Sequence, residues 1–279
     1  MNAMPDIRAE AATGPSIIHP TDFGPTAATA LVHAVALALK TRGRLTLLHI
    51  RGTSDAGPTR NGLTPVTDLL VRWGLLAEEE RFDDTQIRLG FSVSCVDVPA
   101  RSVSAGVVEH LADHLFDLAV LTTRARAGLA YWFTSSTSRR ALRHANGMTL
   151  FLREGKRGFV DPDTGEVLLK RVLMPVDGAI PVADAVNKAK RLHEKLGINV
   201  EMRLLHVGSE APQGCPKNVP LLLAQGAVAP AIFKAAQDFR PDLIIMPTEG
   251  KRGILGPMRS SVSRKVLEDA RWPVLSMPA

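Results

Sequence analysis

The chain has 279 residues, of which 45% are hydrophobic and only 5% aromatic, and a formal net charge of +6. That length accommodates two domains with aliphatic cores, and the moderate, evenly spread positive excess reads as solvated surface, so nucleic acid is not an expected partner. No apolar run approaches the ~18 residues of a bilayer span, which excludes a helical membrane protein, and the two cysteines, Cys95 and Cys215, fall at unrelated positions, which suits a reducing cytoplasm better than a disulfide framework.

The N-terminal residues 1–15 lack a hydrophobic stretch and read as a flexible arm, not a secretory signal. Ser16–Thr21 is a short apolar strand ending in Pro-Thr-Asp, and Thr26–Arg42 carries Ala, Leu and Val at helical spacing, closed by Gly43. Leu45–Ile50 is a second strand. Thr64–Gly90 then reads as one helix opened by Thr64-Pro65, with 78–81 on its wet side. Phe91–Val98 alternates apolar and polar as a half-buried strand does, with Cys95 as a buried thiol. Ser102–Leu115 (helix), Leu118–Leu121 (strand), Ser135–His144 (helix) and Met148–Leu152 (strand) complete a first unit.

The last 36 residues of that unit recur. Asp242–Met277 lies without a gap on Asp117–Leu152, 125 residues earlier, with eleven identities that include Asp242/Asp117, Ser260/Ser135, Ser261/Ser136 and Leu275/Leu150. Roughly two or three would be expected at ordinary residue usage. Two further anchors agree: Ile17–Asp22 matches Val172–Asp177, and Leu47–Ile50 matches Leu204–Val207. The chain is an internal duplication, with expected domains at 16–153 and 170–279. Between them, Asp161-Pro162-Asp163-Thr164-Gly165 separates two short apolar runs and predicts a small hairpin.

Strands alternating with helices give an α/β class: two tandem doubly wound, parallel-sheet, Rossmann-like domains. The second lacks one helix, because Gly208–Asn218 holds two prolines and two glycines where the first unit has a long helical stretch. The strand after it carries Pro220, which belongs at a sheet edge. A parallel return without a helix leaves either a bare extended crossover or a rearranged edge strand. The final strands, Met148–Leu152 and Val274–Met277, would each be an edge, and antiparallel pairing of the two would cover both, making an intramolecular pseudo-dimer.

Ligands of doubly wound sheets sit beyond the carboxyl ends of the strands. The candidates there are Asp22 and Asp177 after the first strands, and the loops 122–136 and 247–261. A helix opening at Ser260-Ser261, with Lys251, Arg252 and Arg259 nearby, offers free N–H groups and a positive dipole end to a simple anion such as phosphate. Equally, Ser135 and Ser260 serve as plain N-caps. Arg124 and Arg126 flank the corresponding loop of the first unit. His49 and His206 end buried strands and read as structural. No metal-ligand or nucleophile spacing is present, so neither a metal nor hydrolytic chemistry is expected.

The doubled Pro-x-Asp, the doubled Leu-Leu-His and the terminal strand–loop–Ser-Ser–helix–strand make the chain similar to tandem universal stress proteins, from about Ser16 to Met277. The resemblance implies a cytoplasmic, non-enzymatic stress-response protein that acts through protein partners and can dimerise further. ATP-binding members carry a loop of Gly, two residues, Gly, nine residues, Gly and then Ser or Thr. The aligned positions are Pro247, Gly250, Ser260 and Ser261 in the second unit and Thr122, Ala125, Ser135 and Ser136 in the first. One of six glycines survives, so the resemblance points to the branch without ATP. The alternative it leaves open is an ATP- or AMP-binding switch in the second unit through Asp177, Val207, Gly250, Ser260 and Ser261, with Asp22, Ser135 and Ser136 as the weaker set in the first.

Overall fold

The computed structural model describes residues 12–52, 62–77, 79–123, 147–156, 158–248 and 261–278. The first half contains β1 (Ser16–Pro20), α1 (Ala28–Thr41), β2 (Arg44–Arg51), α2 (Thr64–Arg72), α3 (Phe82–Leu89), β3 (Ser92–Pro99), α4 (Val103–Asp113), β4 (Leu118–Thr123) and β5 (Met148–Arg153). The second contains β6 (Arg171–Pro175), α5 (Val182–Lys195), β7 (Glu201–Val207), β8 (Leu221–Ala224), α6 (Val228–Phe239), β9 (Leu243–Thr248), α7 (Ser261–Asp269) and β10 (Val274–Pro278). The expected helix Ser135–His144 and most of the N-terminal arm lie outside the described residues.

All ten strands form one sheet, in the order β3-β2-β1-β4-β5-β10-β9-β6-β7-β8. Within each half every pairing is parallel. The halves meet through β5 and β10, which run antiparallel with Val274 opposite Phe151 and Ser276 opposite Thr149. Across that joint Arg153 donates from Nη1 to the Ala270 carbonyl at 3.0 Å, satisfying an orphan group at the end of α7.

Alternation along the strands sends side chains to two layers. Val120 enters the core shared by α1, α2 and α5, whereas Ala119 packs with α4 and Leu121 with α6 and α7. The first layer is continuous across both halves, since one cluster holds Leu152, Met277, Phe159 and Leu169.

Four expectations need revision. The single helix over 64–90 is two, α2 and α3. Trp73 closes α2, Gly74 takes φ +65, and Arg88 binds back across the corner to Glu80 at 2.9 Å and to the Leu75 carbonyl at 2.6 Å. Residues 79–81 accordingly belong to that corner and not to a helix face. The helix before β2 is closed by Arg42 at φ 52; Gly43 is needed because a Cβ there would lie 2.6 Å from the Pro15 carbonyl oxygen. Cys95 is half-buried, not sealed in the core, and both cysteines are free thiols.

The linker forms a small hairpin: Leu168 donates to the Phe159 carbonyl at 2.7 Å and Asp161 to that of Glu166 at 2.9 Å. It is stapled to the first half. The buried His33 on α1 donates from Nδ1 to the Thr29 carbonyl and accepts at Nε2 from the Phe159 N–H at 3.0 Å, while Trp73 donates to the Pro162 carbonyl. Lys188, at the matching position of α5, reaches the carbonyl of Pro278, the last residue of β10.

The duplicated aspartates are clasps. Asp117 Oδ2 accepts the Ser16 N–H at 2.8 Å, and Asp242 Oδ2 accepts those of Lys170 and Arg171 at 2.9 and 2.8 Å. Each ties the start of a half's first strand to the strand beside it. Asp242→Ala is expected to lower the unfolding free energy by roughly 1–3 kcal/mol, read by chemical denaturation. An unchanged midpoint would show the clasp to be idle.

Burial pushes the imidazoles of His19, His33 and His193 down to about 4 from 6.5. In the unfolded chain each takes up a proton below pH 6.5, whereas the folded protein stays neutral at these sites to about pH 4. Unfolding therefore binds protons in that window. Their contribution to stability is complete above it, falls as the pH is lowered through it and levels off below. Each site adds a slope of at most about 1.4 kcal/mol per pH unit. His193 Nε2 has no partner among the described residues. His193→Leu is expected to flatten the pH dependence by about one site's slope, measured as denaturation midpoints across the window.

Candidate functional site

In each half the first strand has neighbours leaving on opposite sides: β1 lies between β4 and β2, and β6 between β9 and β7. A crevice opens at their carboxyl ends, where the connections part. In the second half it is a pocket of about 210 Å³. That is below the roughly 300–1,000 Å³ of most small-molecule sites, so it suits a compact ligand or part of a larger one. Val176, Asp177 and Ile180 supply the turn after β6, and Leu205, His206 and Val207 the end of β7. The first turns of α5, α6 and α7 add Val182, Val228, Val262 and Ser263, with Ile232 deeper on α6 and Met246 and Pro247 on β9. The wall is largely apolar.

Two of the pocket's polar side chains each bond a backbone group of the adjoining turn through one atom. Asp177 is exposed, and its Oδ1 accepts the Ala179 N–H at 3.0 Å, setting a tight turn in which Gly178 has φ +79. His206 donates from Nδ1 to the Val176 carbonyl at 2.8 Å. Pro247 presents no N–H at the mouth. The structure thus brings Asp177 and Val207 together at one pocket, while Gly250 and Ser260 lie outside the described residues and Ser261 is placed only as the first residue of α7. Sequence reading missed Ile180, Val228, Ile232 and Met246. Their one signal is position, at strand ends and in early helical turns.

The first half is built differently at the same place. Asp22 is exposed, and its Oδ1 accepts the Gly24 N–H at 2.9 Å, as Asp177 does in its own turn. Phe23 stands where the second half has Gly178. It holds φ 57, a left-handed conformation costing an L-residue about 1–2 kcal/mol, and its ring lies 5.4 Å from that of His49. His49 turns to Asp97 on β3, donating from Nδ1 to Oδ1 at 2.8 Å; at the corresponding register in the second half Leu223 faces His206, which bonds the turn instead. His19 is fully buried, donating from Nδ1 to the Val120 carbonyl at 2.9 Å. Ser135 and Ser136, with Arg124, Ala125 and Arg126, lie outside the described residues.

The universal stress protein family profile matches residues 15–153 and 208–278, in two segments that together cover most of the chain. The chain belongs to the universal stress protein family. No curated protein sequence matches it significantly. Among solved structures it is similar to a universal stress protein from Archaeoglobus fulgidus, with 16% identity and a TM-score of 0.56, covering 94% of this chain and 96% of that one. It is also similar to a putative universal stress protein from Pseudomonas aeruginosa, with 16% identity and a TM-score of 0.57, covering 96% and 95%. A functionally unknown protein of Pseudomonas aeruginosa matches at 15% identity and a TM-score of 0.59, over 96% and 94%. At these identities the likeness concerns the fold. It spans nearly the full length of each chain, including β6, α5 and β7, which the family profile passes over.

The turn that presents Asp177 depends on Gly178, where an added Cβ would lie 3.2 Å from Pro212 Cβ at an already left-handed φ. Gly178→Ala is expected to destabilise this universal stress protein by about 1–2 kcal/mol. Thermal denaturation would test it.

Proposed function

We propose that this universal stress protein is a cytoplasmic, non-enzymatic stress-response protein that works by binding, and that its second half is the ligand-bearing one. The observation carrying this reading is the pocket at the β6–β9 switch point, whose titratable groups Asp177 and His206 are both committed to backbone partners of the adjoining turn. Among the described residues no hydrogen bond or ion pair joins Asp177 to His206, so no acid–base couple is assembled there. Its apolar wall favours a ring or an aliphatic group over a polyanion, and Pro247 takes away a donor at the mouth.

A second reading, an ATP- or AMP-binding switch, is favoured by one observation: Asp177 and Val207 share the pocket with the start of α7, where helical N–H groups would meet phosphate. Calorimetry with Mg-ATP, AMP and adenosine separates the two. The binding-protein reading expects no triphosphate affinity tighter than about millimolar, a free energy of about 4 kcal/mol. Micromolar Mg-ATP binding abolished by Asp177→Ala or Gly250→Val would replace it with the switch.

A further inference from the structure

Among the described residues that line the pocket of the second half, Asp177 alone carries a formal charge with His206 neutral, and none is Lys or Arg. Asp177 Oδ1 accepts the Ala179 N–H, while Oδ2 has no hydrogen-bond or ion-pair partner among the described residues. His206 donates from Nδ1 to the Val176 carbonyl, so the neutral ring carries its proton there and Nε2 is an acceptor. Nε2 likewise has no partner among the described residues. A Cβ on Gly208 would collide with Nε2, so the glycine keeps the space beside that nitrogen clear.

The first half treats the same groups differently. There His49 directs Nδ1 to the Asp97 carboxylate, and Arg51 stands where the second half has Gly208. In the second half the two open atoms are both acceptors, one of them on a carboxylate, beside an apolar wall that includes Val182, Leu205, Ile232 and Met246. A carboxylate at such a wall is best met by a charge-assisted bond from a cationic donor. An ammonium group has three N–H donors and no acceptor, so it can bond Asp177 Oδ2 and His206 Nε2 without setting a lone pair against either. The Ser263 hydroxyl can take either role. A phosphate or carboxylate would bring acceptors to acceptors and a like charge to Asp177. Lys251, Arg252 and Arg259 lie outside the described residues, and an anionic probe tests for their charge.

We infer that the pocket takes a compact primary amine in its ammonium form, with the charged head at Asp177 and His206 and an aromatic or aliphatic body against the apolar wall. This rests on the reading of the second half as the ligand-bearing one and names the class of ligand. The volume of about 210 Å³ sets the size, one ring or a short chain with its head group.

The test is an NMR titration of the full chain with three probes that share one ring and differ in the head group: 2-phenylethylammonium, 2-phenylethanol and 3-phenylpropionate. The ammonium is expected to bind about tenfold more tightly than the alcohol, with the carboxylate weakest, and the shifts should centre on the amides of Ala179, Val207 and Ile232. Asp177→Asn keeps an oxygen for the Ala179 N–H and removes the charge. It is expected to bring the ammonium down to the affinity of the alcohol while thermal unfolding stays nearly unchanged. Val228→Trp, at an exposed position of the wall, narrows the pocket and is expected to weaken ammonium and alcohol alike. The amine assignment is overturned, with the pocket still a binding site, if the alcohol or the carboxylate binds as tightly as the ammonium, or if Asp177→Asn leaves the ammonium its advantage. If no probe shifts the pocket amides, or Val228→Trp alters none of the affinities, the reading of this pocket as the ligand site falls together with it.

Discussion

Every other ladder in this sheet is parallel, and the antiparallel contact of β5 with β10 imposes the arrangement of the rest. It buries the two edges that the halves would otherwise expose, and it sets their strand directions opposed. The layer holding α1, α2 and α5 is consequently a single core running from Ile17 to Met277, with the hairpin residues Phe159 and Val160 inside it. The opposite layer stays divided into a cluster under α4 and another under α6 and α7. The hairpin must therefore lie on the continuous layer, and the neutral imidazole of His33 meets it there. The open edges are displaced to the far ends, β3 and β8.

The two halves show how few substitutions change the groups that border an equivalent crevice. Both keep the aspartate turn after the first strand and the histidine at the end of the second. Phe23 in place of Gly178 sets an aromatic ring against His49 at the cost of a left-handed backbone. Asp97 in place of Leu223 draws His49 toward the edge strand, and without that carboxylate His206 turns inward to the Val176 carbonyl. In the second half, the histidine turned to the Val176 carbonyl and the glycine after the aspartate both belong to the turn that borders the pocket.

Loss of the helix between β7 and β8 is compensated locally and incompletely. Val219 is buried, and Cys215 packs against the same core from the crossover. Both stand in for apolar surface that α2 and α3 bring in the first half. On the face that lost the helix, Leu223 keeps 45% of its surface exposed.

Much of this was legible in the residues. Hydrophobic periodicity and turn chemistry are local, so the strands, most helices and the hairpin follow from short windows. The duplication follows from identities such as Asp117 with Asp242, whose shared role as a clasp needs only one geometry repeated. The corner between α2 and α3 was hidden because Trp73 and Gly74 sit in an otherwise helical pattern, and a salt bridge from Arg88 eight residues away holds the break. The pocket wall was hidden for a related reason: Ile180, Val228, Ile232 and Met246 are ordinary apolar residues until four separate elements converge. The sequence by itself determined the α/β class, the doubling and the edge character of β8, because composition and spacing carry those. Only the tertiary structure decided which partner each histidine takes and which side chains line the second half's pocket, because these depend on side chains far apart in the chain meeting across the sheet.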